Sequence, residues 1–394
     1  MTRTGGMIAR VITAALEKKE NRTVSSNRAA PAKLKRKDHL TELMRNGSLS
    51  RKKRILMTIE ELKKTLEPWL EKRFQSAVKI YDVIPLSGGA CQENSLLELE
   101  VNEGSRKGSH RLVLRSDRGS SLFSSLDRKQ EFEVARAAFE AGTRTPEPYF
   151  YEMDESVLGR PFSLMQWIPG KATGRYVVKD NSLKDVRKEL PSSLAEHLAH
   201  IHSVKPGNNS LDFLNIPAES PASEGCKEMR LEIDKLQEAH PAMELALNWL
   251  EKNAYNTDEL VLVHGDFRTG NFMVSPEGLH GILDWEFAHF GDRHEDISWL
   301  CMRDWRFGKL NLEAGGISNR QDFYQAYEKF SGARVDPEKV RYWEVMGNLR
   351  WAGGAAAQAE RHLSGKTRGI ELASIGRRVA EMEFEMLRLI EQGQ

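Results

Sequence analysis

Cysteine is scarce: the 394 residues include three, Cys91, Cys226 and Cys301, far apart and without CxxC spacing. An odd, scattered set argues against a disulfide framework or a thiolate zinc site and fits a reducing, cytoplasmic compartment. Long apolar runs are also missing. No stretch approaches the roughly 20 residues needed to span a bilayer, so a soluble protein without a membrane helix is expected. No repeat occurs at solenoid periods, and the first residues lack the apolar core and small-residue cleavage site of a secretory signal. Net charge is almost nil, +1 from 58 Lys and Arg against 57 Asp and Glu. What is present, 40% hydrophobic and 29% charged residues, suffices for a large core in two lobes.

The near-neutral total hides an uneven distribution. Residues 1–54 hold fifteen Lys and Arg against four acids, which leaves 43 against 53 for the rest. The basic arm, residues 1–56, is expected to be an unfolded, solvated tail, with no nucleic-acid partner. Met57, just before the first structural signal, is an alternative translation start.

Thr58 and Glu61 have capping-box spacing, which predicts a helix start there, and Pro68 is expected to interrupt or restart that helix. β-favouring residues at 79–86, 96–101 and 111–115 predict a small antiparallel sheet. Phe132, Ala135, Ala138 and Phe139 recur at helical spacing, and Gly142 is a natural stop. A hairpin is expected between Pro148 and Gly170. Beyond it, helical periodicity dominates at 191–204, 227–252, 338–363 and the last 25 or so residues. The expected class is α+β, with a sheet-based N-lobe at 57–169 and a helical C-lobe at 170–394.

Chemistry concentrates in HGDFRTGNFMVSPEGLHGILDWE, residues 264–286. A buried strand at 260–263 should deliver His264, Gly265 and Asp266 into a loop, and two further strands flank a Ser-Pro-Glu-Gly turn. A turn centred between Glu277 and Gly278 leaves Asn271 and Asp284 equidistant from its centre, so they are expected to be cross-strand neighbours near Asp266. An amide oxygen and a carboxylate are hard ligands suited to Mg²⁺, and a second carboxylate nearby could orient a hydroxyl and take its proton. Asp292 and Asp296 are not read as ligands, and Asp296 is expected to cap the next helix. His197, His200 and His202 do not form a metal set. Ser364-Gly-Lys-Thr367 lacks the earlier glycine and preceding strand of a P-loop.

HGDFRTGN resembles the HGDxxxxN loop of the aminoglycoside phosphotransferase and choline kinase superfamily, and ILDWE resembles its IDW or LDW metal-binding segment. HLSGKTRGIELASIGRRVAE and EVMGNLRW resemble, more narrowly, bacterial phosphotransferases related to the kinase-like domain of some acyl-CoA dehydrogenases. The resemblance implies a protein-kinase-like two-lobed fold. It makes Asp266 the catalytic aspartate, Asn271 and Asp284 the metal ligands, and His264 a brace for the loop. Gly88 and Gly89 would cover the nucleotide phosphates. Arg115 would stand where protein kinases carry a phosphate-binding lysine, with Glu131 as its partner, and Met165, Gln166, Trp167 and Ile168 would form the hinge that meets the base.

The implied activity is Mg²⁺-dependent transfer of the γ-phosphoryl group of ATP, or of GTP, to a hydroxyl of a small-molecule acceptor. Hydroxyacyl thioesters are favoured over aminoglycosides. One rival is a metal-dependent phosphohydrolase using His264, Asp266, Asp292 and His294, which lacks the later histidine motifs such a site needs. A catalytically idle nucleotide-binding protein is the other, and the filled catalytic positions count against it.

Overall fold

Thr58 starts a helix as its spacing predicts: its hydroxyl accepts from the Glu61 amide at 3.2 Å, and Glu61 Oε2 accepts from the Thr58 amide at 2.7 Å. The structure, a computed structural model, describes residues 58–86, 92–117, 125–207 and 209–393. The basic arm, Gly88, Gly89 and Cys91 therefore lie outside the described residues. Contacts divide the chain at Leu62, and Lys63–Gln394 form one unit. Helix α1 (Ile59–Phe74) contains Pro68 without interruption, contrary to expectation. Pro68 and Lys64, whose carbonyl loses its helical donor, are both exposed, so water can complete the missing bond.

Strands β1 (Val78–Leu86), β2 (Gln92–Val101) and β3 (Gly108–Asp117) occupy the three expected positions, with β2 and β3 extending beyond them. Helix α2 (Arg128–Glu140) follows, with Asp127 and Gln130 as a capping box. It stops before Gly142, whose φ of 91° suits a left-handed exit. The expected hairpin is β4 (Pro148–Glu152), the one-turn α3 (Glu155–Leu158) and β5 (Phe162–Gln166). Together the strands form an antiparallel sheet ordered β1-β2-β3-β5-β4. Alternation along β2 buries Leu97, Leu99 and Val101.

The helical half begins with α4 (Gly174–Lys179) and α5 (Val186–Ser203). The periodic segment 227–252 divides between α6 (Pro221–Ile233) and α7 (Pro241–Lys252), because Pro241 begins a new helix at its first turn. Next come β6 (Val261–Val263), β7 (Phe272–Ser275), β8 (Gly278–Ile282) and β9 (His289–Gly291), then α8 (His294–Cys301) and α9 (Arg320–Ser331). Neither β9 nor α9 was expected; β9 pairs with β6, and β7 with β8. The chain closes with α10 (Pro337–Leu363), α11 (Ile370–Gly376) and α12 (Val379–Glu391). One core joins α2 and β5 to α5, β6–β9, α8 and α9, and a second packs α6, α7, α10 and α12. This is the two-lobed α+β arrangement of the kinase-like fold. No helix among the described residues is long and apolar enough to cross a membrane.

Glu344 on α10 is 1% exposed and binds Arg320 through both carboxylate oxygens, at 2.7 and 3.0 Å, with Arg306 at 3.6 Å. Glu344→Ala leaves the buried Arg306 guanidinium without its counter-charge. Urea unfolding should show a loss of about 3–5 kcal/mol. A loss below about 1 kcal/mol would mean that water screens the cluster.

Candidate active site

The three residues of β6 are fully buried and project the chain into the 264–271 loop. Gly265 turns it with φ 79°, and a Cβ there would lie 2.3 Å from the Phe287 carbonyl oxygen, so a side chain does not fit. The turn exposes two backbone donors, and Asp296 takes both. Its carboxylate accepts from the His264 amide at 2.7 Å and the Gly265 amide at 3.0 Å. The expectation that Asp296 caps α8 is therefore wrong: it lies in the first turn of that helix and is fully buried. Asp292 instead accepts from the His294 amide at 2.9 Å.

His202 on α5 supports Asp296 from behind, with Nε2 3.1 Å from its carboxylate and Nδ1 2.7 Å from the Tyr327 hydroxyl. Burial holds the His202 ring below the usual imidazole range. Burial opposes ionisation of Asp296, but the His202 contact and the His264 amide outweigh it and hold the carboxyl below its usual range. His264 is itself buried. Its Nδ1 accepts from the Asp266 amide at 3.1 Å, and its Nε2 faces the Leu283 carbonyl at 3.1 Å. An amide only donates and a carbonyl only accepts, so the ring hydrogen sits on Nε2. The ring thus ties the loop to the chain just past β8.

Asp266 is 7% exposed and receives three side chains. Arg268 Nε donates to Oδ1 and Oδ2 at 2.8 and 3.0 Å, Asn271 Nδ2 to Oδ2 at 2.7 Å, and Trp299 Nε1 to Oδ1 at 2.7 Å. Asn271 Nδ2 also donates to the Asp266 carbonyl at 2.9 Å, which identifies it as the amide nitrogen. Its Oδ1 is thereby left for another partner.

Sequence reasoning missed Trp299, because α8 meets the loop only in three dimensions. One trace was present in EVMGNLRW: a Cβ on Gly347 would lie 3.2 Å from the Trp299 ring and 2.9 Å from Met302 Sδ. That glycine makes room for the indole. Arg268, in turn, lies over the Trp305 ring at 4.5 Å.

The expected pairing of Asn271 with Asp284 does not occur. The turn is Pro276-Glu277, with Ser275 opposite Gly278, and a bulge on the β8 side shifts the upper ladder so that Met273 faces Gly281. The Asn271 backbone carbonyl consequently accepts from the Leu283 amide at 2.9 Å, one residue short of Asp284. Asp284 adopts φ 75°, a left-handed conformation that aspartate tolerates better than most residues. Its carboxylate lies 3.9 Å from Arg115 Nη2. Burial raises its pKa, and the negative Glu131 and Asp266 add to that against the pull of Arg115. Glu286, also missed, is pushed up to about 7 by burial and then by Asp284 and Glu131.

Arg115 Nη1 pairs with Glu131 Oε1 at 2.8 Å, and Arg128 holds the other oxygen of Glu131 at 2.6 Å. The neighbouring Glu133 pairs with Arg136 instead. Of the expected hinge, Met165 is buried beside Arg115, with Sδ 3.9 Å from Nη1. The Gln166 amide donates to the Glu147 carbonyl at 2.8 Å and the Trp167 amide to that of Arg111 at 2.9 Å, so the sheet already uses both. Ile168 packs near Gly281, where a Cβ would come 2.5 Å from its Cδ1.

The residues of the phosphohydrolase reading separate into two clusters. Asp292 binds His294, Tyr255 and Thr257 at 2.6, 2.9 and 3.0 Å, and His294 Nε2 accepts from the Asp336 amide at 3.2 Å, whereas His264 and Asp266 belong to the loop network. Among the described residues, no three His, Cys, Asp or Glu converge to hold a metal by themselves.

A family profile described as the phosphotransferase enzyme family matches residues 82–341, more than half of the chain. Human acyl-CoA dehydrogenase family member 11 is 30% identical over 304 residues, which cover 71% of this chain and 38% of that protein. The acyl-CoA dehydrogenase relatives are matched over only 19% to 38% of their own length. A crystal structure provisionally described as an aminoglycoside phosphotransferase, from Ralstonia eutropha, has a TM-score of 0.65 at 22% identity, covering 84% of this chain and 98% of its own. Spectinomycin phosphotransferase in complex with ADP and spectinomycin has a TM-score of 0.51 at 12% identity, covering 84% and 99%. At these identities the two structures speak to the fold.

Asp296→Asn presents one acceptor and one donor to two loop amides, so one amide loses its partner, at a cost of about 1–3 kcal/mol at neutral pH. Because the folded pKa of Asp296 is depressed, its contribution is complete above the ordinary carboxylate range and is lost as pH falls through that range toward the lower folded value. Denaturant unfolding between about pH 6 and 3 should therefore show a steeper acid loss in wild type than in Asp296→Asn. Parallel pH profiles would contradict this account of Asp296.

Proposed function

Because the chain belongs to the phosphotransferase enzyme family, we propose that it moves the γ-phosphoryl group of ATP, or of GTP, onto a hydroxyl of a small-molecule metabolite, with Mg²⁺ required. The observation that carries the reading is the pair of bonds from Asn271 Nδ2 to Asp266, which leaves the amide oxygen free for a cation. Asp284 fits the same ion: its carboxylate is close enough to Glu131 and Asp266 for their charges to raise its pKa, and a divalent cation would relieve that repulsion. Two such ligands are what Mg²⁺ takes from a protein when substrate phosphates and waters complete its shell. Bound there, it would neutralise charge on the transferring group.

The protein's own part is positioning and proton acceptance. Trp299 and Asn271 hold Asp266 from two sides, so an acceptor hydroxyl can donate to the carboxylate in place of Arg268. Arg115, anchored by Glu131, turns its second Nη toward Asp284 and grips phosphate as a fork. In this reading residues 57–169, including Gly88 and Gly89, hold the nucleotide, and residues 170–394 hold the acceptor. The base meets the hinge at Ile168, since the sheet uses the amides of Gln166 and Trp167. The ADP bound to spectinomycin phosphotransferase, a protein of similar fold, supports a nucleotide donor. The acyl-CoA dehydrogenase names of the relatives support a hydroxyacyl thioester as acceptor.

The test is transfer of labelled γ-phosphate from MgATP to pooled hydroxyacyl thioesters, sugars and aminoglycosides. Wild type should label an acceptor, and Asp266→Ala should transfer about 10²–10⁴-fold more slowly. No labelling beyond that variant in any pool sinks the kinase reading and leaves an idle nucleotide-binding protein. ATP-independent phosphate release from monoesters would favour a hydrolase. Asn271→Ala and Asp284→Ala should each shift the activation curve to higher Mg²⁺, by about tenfold. Trp299→Phe should lower kcat by about tenfold with KM for ATP unchanged, because it disturbs only the aim of Asp266.

A further inference from the structure

Outside its basic arm the chain has ten more acids than bases, 53 against 43, yet one groove beside the catalytic loop has no Asp or Glu in its lining. It measures about 530 Å³ and presents Lys179 from the end of α4, Arg187 from α5 and Lys309 from the segment after α8. None of the three is ion-paired among the described residues. By contrast, Arg230, Arg320 and Arg378 each bind two carboxylates. Arg187 Nη1 is fixed by the carbonyls of Val177 and Asp180 at 3.1 and 2.7 Å, which aims the guanidinium, and the nearby Asp180 carboxylate acts on it through charge without forming an ion pair. The Asp180 carboxylate turns instead to the Ser182 amide and hydroxyl at 3.0 and 2.6 Å. Gly308, at φ 83°, clears a path for Lys179, whose Nζ would lie 3.2 Å from a Cβ at that position.

The groove wall is joined directly to the chemistry. Gly316, which lines it, donates to the Leu312 carbonyl at 3.0 Å, and the adjacent Gly315 carbonyl accepts from Thr269 Oγ1 at 2.8 Å. Thr269 belongs to the loop that carries Asp266. Three cations lining one groove, one a guanidinium held by backbone carbonyls and two on flexible lysine stems, over-compensate a single carboxylate but match a diphosphate or several phosphate monoesters. They also repel a cationic acceptor such as an amino sugar.

We propose that this groove holds a multiply phosphorylated handle on the acceptor, so that the enzyme selects polyanionic hydroxy compounds and excludes cationic ones. The proposal rests on the kinase reading for the word acceptor, but the anion site itself does not. In the test, inorganic pyrophosphate is titrated calorimetrically into the full chain, with free Mg²⁺ held constant and the nucleotide site saturated with MgADP. One site is expected, weakened about tenfold or more in Lys179→Ala/Lys309→Ala, whose exposed side chains can be removed without unfolding the protein. Turnover of MgATP is then compared for pairs of hydroxy compounds that differ only in a diphosphate group. Wild type should prefer the phosphorylated member, and the double variant should lose most of that preference.

Absence of pyrophosphate binding, or equal binding by the variant, overturns the proposal. So does binding without any preference between the paired compounds, which would make the groove a site for free phosphate. If neither compound of any pair is phosphorylated while pyrophosphate still binds, the kinase reading has failed and the anion site stands.

Discussion

The grip of Asp296 on two consecutive amides organises the rest of the site. A glycine turn at 265 leaves the His264 and Gly265 amides without helix or sheet partners, and a buried donor without an acceptor costs more than most contacts return. One fully buried carboxylate takes both. It remains ionised there because His202 and the amides compensate for the water it has lost. His264 then relays the constraint, since its ring joins the Asp266 amide to the chain beyond β8. The loop residue proposed as catalytic is thus aligned by groups on α5 and α8, neither of which belongs to the motif that carries it.

The charge balance follows from the same crowding. Glu131 and Asp266 raise the pKa of Asp284, all three raise that of Glu286, and Arg115 opposes both shifts. Arg128 and Arg268 pair with Glu131 and Asp266, and further positive charge near Asp284 and Glu286 would relieve what repulsion is left. The proposed Mg²⁺ would supply it, arriving with the phosphates that complete its shell. The cationic groove offers the complementary charge farther along the C-lobe, joined to the loop through Thr269 and Gly315.

Much of this was legible before any coordinates. Capping at Thr58, the strands around Leu97 and Leu112, and the stop at Gly142 are local matters, decided by side chains within a few residues of one another. The order of Asp266, Asn271 and Asp284 was equally visible. Their register was not, because the chain turns at Pro276-Glu277, one residue earlier than expected, and a bulge at His280 restores only one of the two positions this shifts. Pro68 misled for a related reason: whether a proline breaks a helix depends on whether water can reach the carbonyl it deprives.

The sequence alone determined which chemical groups the site has available, in what order, and the periodicities that make one lobe sheet and the other helix. These depend on covalent neighbours and on patterns a few residues long. Only the tertiary structure decided that Asp296 braces a loop rather than capping its own helix, that Trp299 reaches Asp266, and that Glu131 rather than Glu133 meets Arg115. Each of those pairings joins elements whose approach is set by packing of the whole core. A buried polar group takes whatever partner that packing brings within about 3 Å.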